Sequence, residues 1–510
     1  MRGIGGNGPR WRRGFAVAAA LPVVLAASAV VGPTSAATVA SGVSNGGWAG
    51  AWLSSSSTGT ATTLAMVRSI IGADTGTAAT LTGAGVGIAL IDTGVAAVPG
   101  LPASKIVNGP DLSFESQDPD LRYLDTYGHG THMAGIMVGN DPTTGTKGIA
   151  PGAKLTSIKV GTSNGAVDVT QMIAAIDWVV KNKNHDPAYP IRVINLSYGS
   201  GGQPPYWTDP LQFAVEKAWE NGIVVVAAVG NNGNGFGKIT NPASDLFVIG
   251  VGASTVGGTV STSDDWLTTF TNTSAQRPVD VLAPGESIVS LRDPGSNIDT
   301  GYPSARVGTT LFRGSGTSQA AAIVSGAIAL LLQSKPSLTP DQVKNAVKGN
   351  TWLPNGIAAG SGIFLINVNT AISRSSQAFT QTWMKSAGTG PIEEARGPSH
   401  VLSNGIQLTG EKGVFGTWSS SAWAPKSAAK TSWSGGAFMG VTVAGSGWTG
   451  TSWASKTWAG ATWTHANWGG GTGWTDPNWN GRFWSNGTWN SGTWTGRFWS
   501  SDDWSSSSWG

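Results

Sequence analysis

An acid, a base and a hydroxyl stand along this chain in three short strings: Ile91-Asp92-Thr93-Gly94, His129-Gly130-Thr131-His132 and Gly316-Thr317-Ser318. Each string holds a glycine, which lets backbone approach closely. Together they supply the parts for nucleophilic attack on a carbonyl carbon. That reaction needs a nucleophile, a base to take its proton and a group to orient the base. Ser318 can be the nucleophile, because it opens an apolar helix whose N-terminal amides face developing negative charge. His129 can be the base. Asp92 ends an apolar strand, where parallel-sheet proteins place working residues, and can hold the imidazole tautomer. Asn231 follows the buried run Ile223–Val229 and offers a side-chain amide to an oxyanion.

Each residue alone has a blander reading. A serine at a helix start usually caps it, an aspartate at a strand end usually caps a turn, and a buried histidine is usually a satisfied core residue. The three strings in one order carry the argument. That order is Asp, His, Ser, whereas the esterase elbow that Gly316–Ala320 superficially resembles belongs to a fold in which the nucleophile comes first. The glycines of Gly83-Ala84-Gly85-Val86-Gly87 lead into a strand instead of following it, which argues against a dinucleotide loop. His132 reads as structural. His185, His400 and His465 carry no motif.

The elements that must position these groups alternate. Strands are expected at Val86–Ile91, Leu155–Val160, Arg192–Leu196, Ile223–Val229 and Phe247–Val251. Helices are expected at His129–Val138, Val169–Lys181, Asp209–Asn221 and Ser318–Gln333. The alternation predicts an α/β domain with a doubly wound, mostly parallel sheet.

The 510 residues hold 74 Gly, 25 Trp and no Cys, with a net charge of +3. That charge is small and its positive residues gather at the N-terminus, which argues against a nucleic-acid partner. Arg10, Arg12 and Arg13, the apolar stretch Phe15–Val31 and Ser35-Ala36-Ala37 form a signal-peptide pattern over residues 1–37. Arg12-Arg13-Gly14-Phe15 also has the look of a twin-arginine signal. The expected product is secreted or attached to the cell surface, with no disulfide to staple it. Residues 38–62 read as a short leader or arm, 63–375 as the catalytic domain, 376–417 as a connecting segment and 418–510 as a Trp-rich repeat region.

On these strings the chain resembles the subtilisin-like serine proteases, the subtilases, over residues 63–375. The resemblance implies a serine endopeptidase that cuts protein or peptide substrates through an acyl-enzyme intermediate. It carries triad roles to Asp92, His129 and Ser318 and the oxyanion role to Asn231. It also implies a substrate-binding strand at Asn195-Leu196-Ser197-Tyr198-Gly199, opposite Ala227–Gly230. Ser197, Tyr198, Gly199, Ala228 and Gly230 are then the expected substrate-binding residues. Departures are Gln319 and Ala322, where the family usually has Met and Pro, and Val98-Pro99-Gly100, where many relatives have His-Pro-Asp. Calcium stays open as a cofactor, but in the loop Asn140–Lys147, Pro142 stands where a calcium ligand is often found, so the usual strong site looks altered and no metal ligand is assigned. Residues 38–62 are too short for the folded propeptide common in the family.

The repeat is separate. Trp448, Trp453, Trp458, Trp463 and Trp468 are five apart, and the spacing resumes from Trp474 to Trp509. The register reaches back to Trp433, Trp423 and Trp418, with Ala428, Phe438 and Val443 in the missing places. Five-residue spacing puts successive indoles on opposite faces of a strand and scatters them around a helix. Two readings remain: a tail stacking on cell-wall glycan, or a low-complexity extension. The rival function is an adhesion or wall-binding protein whose protease domain acts mainly in self-maturation.

Overall fold

The computed structural model describes residues 61–443, apart from 118–120, 350–353, 356, 358–360, 376 and 404–405. The signal peptide, nearly all of the leader and the repeat from Trp448 onward therefore lie outside the described residues.

Seven strands form one parallel sheet: β1 (Gly87–Asp92), β2 (Ile106–Asp111), β3 (Lys154–Lys159), β4 (Ile191–Leu196), β5 (Val224–Ala228), β6 (Ile249–Ser254) and β7 (Val281–Pro284). Their order is β2-β3-β1-β4-β5-β6-β7, all parallel. Every residue of β1, β5 and β6 is buried, so their apolar runs are continuous instead of alternating. The strand order reverses at β1, which opens a crevice beyond its carboxyl end.

The main helices are α1 (Leu64–Ile70), α2 (His129–Val138), α3 (Val169–Asn182), α4 (Pro210–Glu220), α5 (Thr317–Ser334), α6 (Pro340–Lys348), α7 (Val368–Arg374), α8 (Ile392–Arg396) and α9 (Ser420–Ala428). Helices α2 and α5 pack together, α5 running under β4 to β7, while α3 and α4 pack together against β1 and β5 respectively. Helix α5 is apolar and long enough to cross a membrane by composition, but 89% of it is buried inside this chain, as a core helix would be. Local signals set the starts. Asp168 and Gln171 form a capping box on α3, and Asp209 caps α4 ahead of Pro210.

The expected elements are present, their boundaries within three residues of those expected and identical for His129–Val138. Phe247–Val251 becomes Ile249–Ser254, because Asp245 first closes a turn by accepting from the amides of Phe247 and Val248. Strand β2 was not foreseen. It is an edge strand containing Gly109 and Pro110, where one side needs no ladder partner.

Residues 377–443 pack along α3 and α4. Trp418, Trp423 and Trp433 are buried there, and each large aromatic gains about 1.5–3 kcal/mol by leaving water. Helix α3 satisfies two of the three indoles: Trp423 Nε1 donates to Asp177 Oδ2 at 2.9 Å, beside Ser427 Oγ donating to Asp177 Oδ1 at 2.6 Å, and Trp433 Nε1 donates to the Ala174 carbonyl at 2.8 Å, while Trp418 Nε1 donates to Ser420 Oγ at 2.9 Å. Trp433 and Phe438, five apart, are direct cross-strand partners. The turn between them, Gly435-Gly436, has φ of +55° and +80° and reverses the chain. Reversal puts both rings on one face, which the single-strand argument had excluded.

Burial pushes Asp177 up to about 6 against the pull of Ser427 and Trp423. The folded state therefore keeps a proton that the unfolded carboxyl, with a pKa of about 3.9, has released. Its contribution to stability falls as pH rises from about 4 to about 6. Trp423→Phe, which deletes one donor to Asp177, should lower unfolding free energy by about 1–3 kcal/mol in urea titration. The loss should be larger at pH 7 than at pH 4, where Asp177 needs that donor less.

Candidate active site

Asp92 closes β1 and faces the N-terminus of α2. Its Oδ1 lies 2.7 Å from His129 Nδ1, with both side chains buried. The same oxygen accepts from the Thr93 amide at 2.8 Å. Burial pushes the Asp92 carboxyl above its usual range, against the opposing pull of His129 and of that amide. A carboxylate on Nδ1 leaves Nε2 as the nitrogen that can exchange a proton with a substrate or nucleophile.

The approach of α2 to β1 depends on Gly130. A Cβ at Gly130 would lie 2.0 Å from the Gly94 carbonyl oxygen, so any larger residue would drive His129 off Asp92. Thr93 completes the junction, its Oγ1 accepting from the Gly130 amide at 3.0 Å and donating to Asp125 Oδ1 at 2.8 Å.

Asp125 was not foreseen from sequence. It is buried, and its carboxylate accepts from Thr93 Oγ1, the Gly128 amide, the Thr131 amide and Thr131 Oγ1, the last three at 2.7 Å each. It thereby holds the first turn of α2. A signal existed: an acid four residues ahead of a helix-opening histidine, in Asp125-Thr126-Tyr127-Gly128-His129. Nearby, burial together with Asp125 and Asp299 pushes Asp293 up to about 9, so that carboxyl is neutral at pH 7.

Lys159, opposite Asp92 in the β1–β3 register, was also missed. It is buried, 2.8 Å from Glu115 Oε2, and donates to the Thr93 carbonyl at 2.7 Å. Burial pulls its ammonium down, but Glu115 and Asp111 outweigh that and hold it above its usual range. This cation braces the floor behind Asp92.

Ser318 is the second residue of α5 and is buried at the bottom of a small cleft. Every expected substrate-binding residue lines the same cleft: Ser197, Tyr198, Gly199, Ala228 and Gly230, with Asn231 and Thr317. Thr240, not foreseen, completes the wall. Asn231 Oδ1 accepts from the Thr317 amide at 2.9 Å and from Thr317 Oγ1 at 2.8 Å. Fixing the oxygen fixes the amide plane, with Nδ2 as its donor end. Ser197 Oγ donates to the Ser318 carbonyl and accepts from Asn195, whose other amide atom accepts from Ser325. This chain ties the end of β4 to α5.

His132 is buried, with Nε2 at 3.1 Å from the Phe312 carbonyl. Burial, reinforced by His129, pushes it down to about 3, so it stays neutral at working pH. In the loop Asn140–Lys147, Asp141 is occupied by the Thr143 amide and Thr144 Oγ1, and Pro142 offers no side-chain oxygen. Among the described residues no cluster of three or more His, Asp or Glu is placed to hold a metal.

Asp125→Asn would turn an amide N–H₂ toward groups that all donate. The variant should lose about 2–3 kcal/mol of unfolding free energy, measured by urea titration, and His129 should lose its fixed place beside Asp92.

A family model described as the subtilase family matches residues 83–390. Serine protease AprX of Bacillus subtilis (strain 168) is 38% identical over 296 residues, 55% of this chain and 66% of that protein. Subtilisin DY of Bacillus licheniformis is 36% identical over 293 residues, 57% of this chain and 91% of that protein. The crystal structure of fervidolysin from Fervidobacterium pennivorans, described as a keratinolytic enzyme related to subtilisin, superposes with a TM-score of 0.47 at 28% identity. That match covers 60% of this chain and 45% of fervidolysin. The chain thus spans just under two thirds of AprX and less than half of fervidolysin.

Proposed function

We propose that this chain, which belongs to the subtilase family, is a secreted serine endopeptidase. The observation that supports the proposal most is the buried 2.7 Å Asp92–His129 pair, whose histidine opens a helix that packs against the helix whose second residue, Ser318, shares a cleft with Asn231 and the strand end Ser197–Gly199. In this reading an extended peptide lies along Ser197–Gly199 as an added strand. His129 takes the Ser318 proton through Nε2 as Oγ attacks the scissile carbonyl. Asn231 Nδ2 and backbone amides at the start of α5 hold the oxyanion. His129 then returns the proton to the leaving amine, and water releases the acyl group by the same steps. Asp92 keeps the tautomer and stabilises the imidazolium without taking the proton.

Ser318→Ala should remove measurable hydrolysis of a protein substrate, and hydrolysis at the wild-type rate would refute the mechanism. Asn231→Ala should lower kcat about 10²–10³-fold with little change in KM, the loss that removing one such donor brings in a subtilisin.

Export follows in this proposal from the signal-peptide pattern of residues 1–37. The repeat from Trp448 onward serves as a tail whose indoles stack on wall glycan. A truncation meant to test the tail must end after Val443, because Trp418, Trp423 and Trp433 are buried in the folded body. Residues 1–443 should hydrolyse protein as fast as the full chain and lose sedimentation with insoluble cell-wall polysaccharide. Undiminished sedimentation would remove the glycan role.

A further inference from the structure

Strand β1 lies between β3 and β4, so the segments that leave those two strands flank the strand end carrying Asp92. They are residues 160–168 and 197–202. Residues on and beside α8 reach both, although Ala395 and Arg396 fall beyond the family match, which ends at 390.

On the β4 side, Ser200 is fully buried and its Oγ donates to the Ala395 carbonyl at 2.8 Å. The contact is tight: a Cβ at Gly202 would lie 2.2 Å from the same carbonyl oxygen. Ser200 also exchanges both backbone hydrogen bonds with Asn241, next to the cleft residue Thr240. On the β3 side, the Arg396 guanidinium is fully buried and donates from Nε to Asp168 Oδ2 at 2.7 Å. Its Nη2 donates to the Lys412 carbonyl at 2.7 Å, and Nη1 is held by Glu393 and the Gly410 carbonyl. Asp168 passes the constraint on. Its amide donates to Gln171 Oε1, and Gln171 Nε2 reaches the Leu112 and Val160 carbonyls. Both ends of the 160–168 loop are thereby pinned.

General adhesion of residues 377–443 to the body needs only the aromatic and polar contacts along α3 and α4. The α8 contacts include that packing and also reach the two segments beside the Asp92 strand end. A forked cation lands on the last residue of the loop leaving β3, and a carbonyl lands on the segment that continues Ser197–Gly199, which lines the Ser318 cleft. We propose that Arg396 and the Ala395–Ser200 contact are positioning elements that set the spacing of the two cleft edges, and with it the grip on an extended peptide. Neither touches the reacting atoms. The inference rests on the peptidase reading, in which the peptide lies beside Ser197–Gly199.

The test compares a tetrapeptide anilide, which needs the cleft edges, with p-nitrophenyl acetate, which needs only the reacting groups. Rates are counted per site labelled by a serine-directed phosphonate, so that misfolded protein drops out. In the full chain, Ser200→Ala and Arg396→Lys should each lower the ratio of tetrapeptide to ester kcat/KM by roughly tenfold, mainly through KM. The lysine keeps the charge and loses the fork. A ratio within about twofold of wild type in both variants overturns the inference while the peptidase reading stands. Absence of phosphonate labelling in the unaltered chain overturns the peptidase reading itself.

Discussion

A carboxylate held out of water at the end of a buried strand is the constraint around which this molecule is arranged. Burying an unpaired charge costs several kcal/mol, so Asp92 is tolerable only while His129 and the Thr93 amide face it. That requirement fixes the approach of α2 to β1, hence the glycine at 130, and hence the polar bracket that Asp125 builds around the first turn. Lys159 and Glu115 extend the same logic one strand further, as a buried ion pair whose cation also donates to the Thr93 carbonyl. Disturbing one of these groups strands another without a partner, so the set behaves as a unit instead of a list of independent contacts.

The second assembly, around Ser318, is held by neutral groups. Asn195, Ser197 and Ser325 link β4 to α5, and Asn231 grips Thr317. Neutral hydrogen bonds suit a place where charge must appear only transiently, because a fixed charge there would be paid for at rest. The contrast between a charged base assembly and an uncharged nucleophile assembly fits a reaction in which negative charge develops on the oxyanion while positive charge develops on the imidazole.

Much of this was legible in the sequence because fully buried parallel strands leave continuous apolar runs, and because the three chemical strings sit at element ends. Those signals single out Asp92, His129, Ser318 and Asn231, while the 197–199 strand is singled out by the family resemblance alone. What escaped had no periodic signature. Asp125 and Lys159 are single charged residues whose importance comes from neighbours far along the chain. Strand β2 carries a proline and a glycine that an edge tolerates and a pattern search rejects. A period of five places residues on opposite faces of one straight strand, whereas Gly435 and Gly436 fold the chain back and bring Trp433 over Phe438. The buried Arg396 was invisible for a related reason, since its partner Asp168 lies 228 positions away.

The central claim is that Ser318 is made nucleophilic by His129. The most direct measurement is to treat the full chain with a serine-directed phosphonate, digest it and locate the adduct by mass spectrometry. A single adduct on Ser318 is expected, and its loss when His129 is replaced by alanine. An adduct on another residue, or undiminished labelling of Ser318 in the His129→Ala variant, would contradict it.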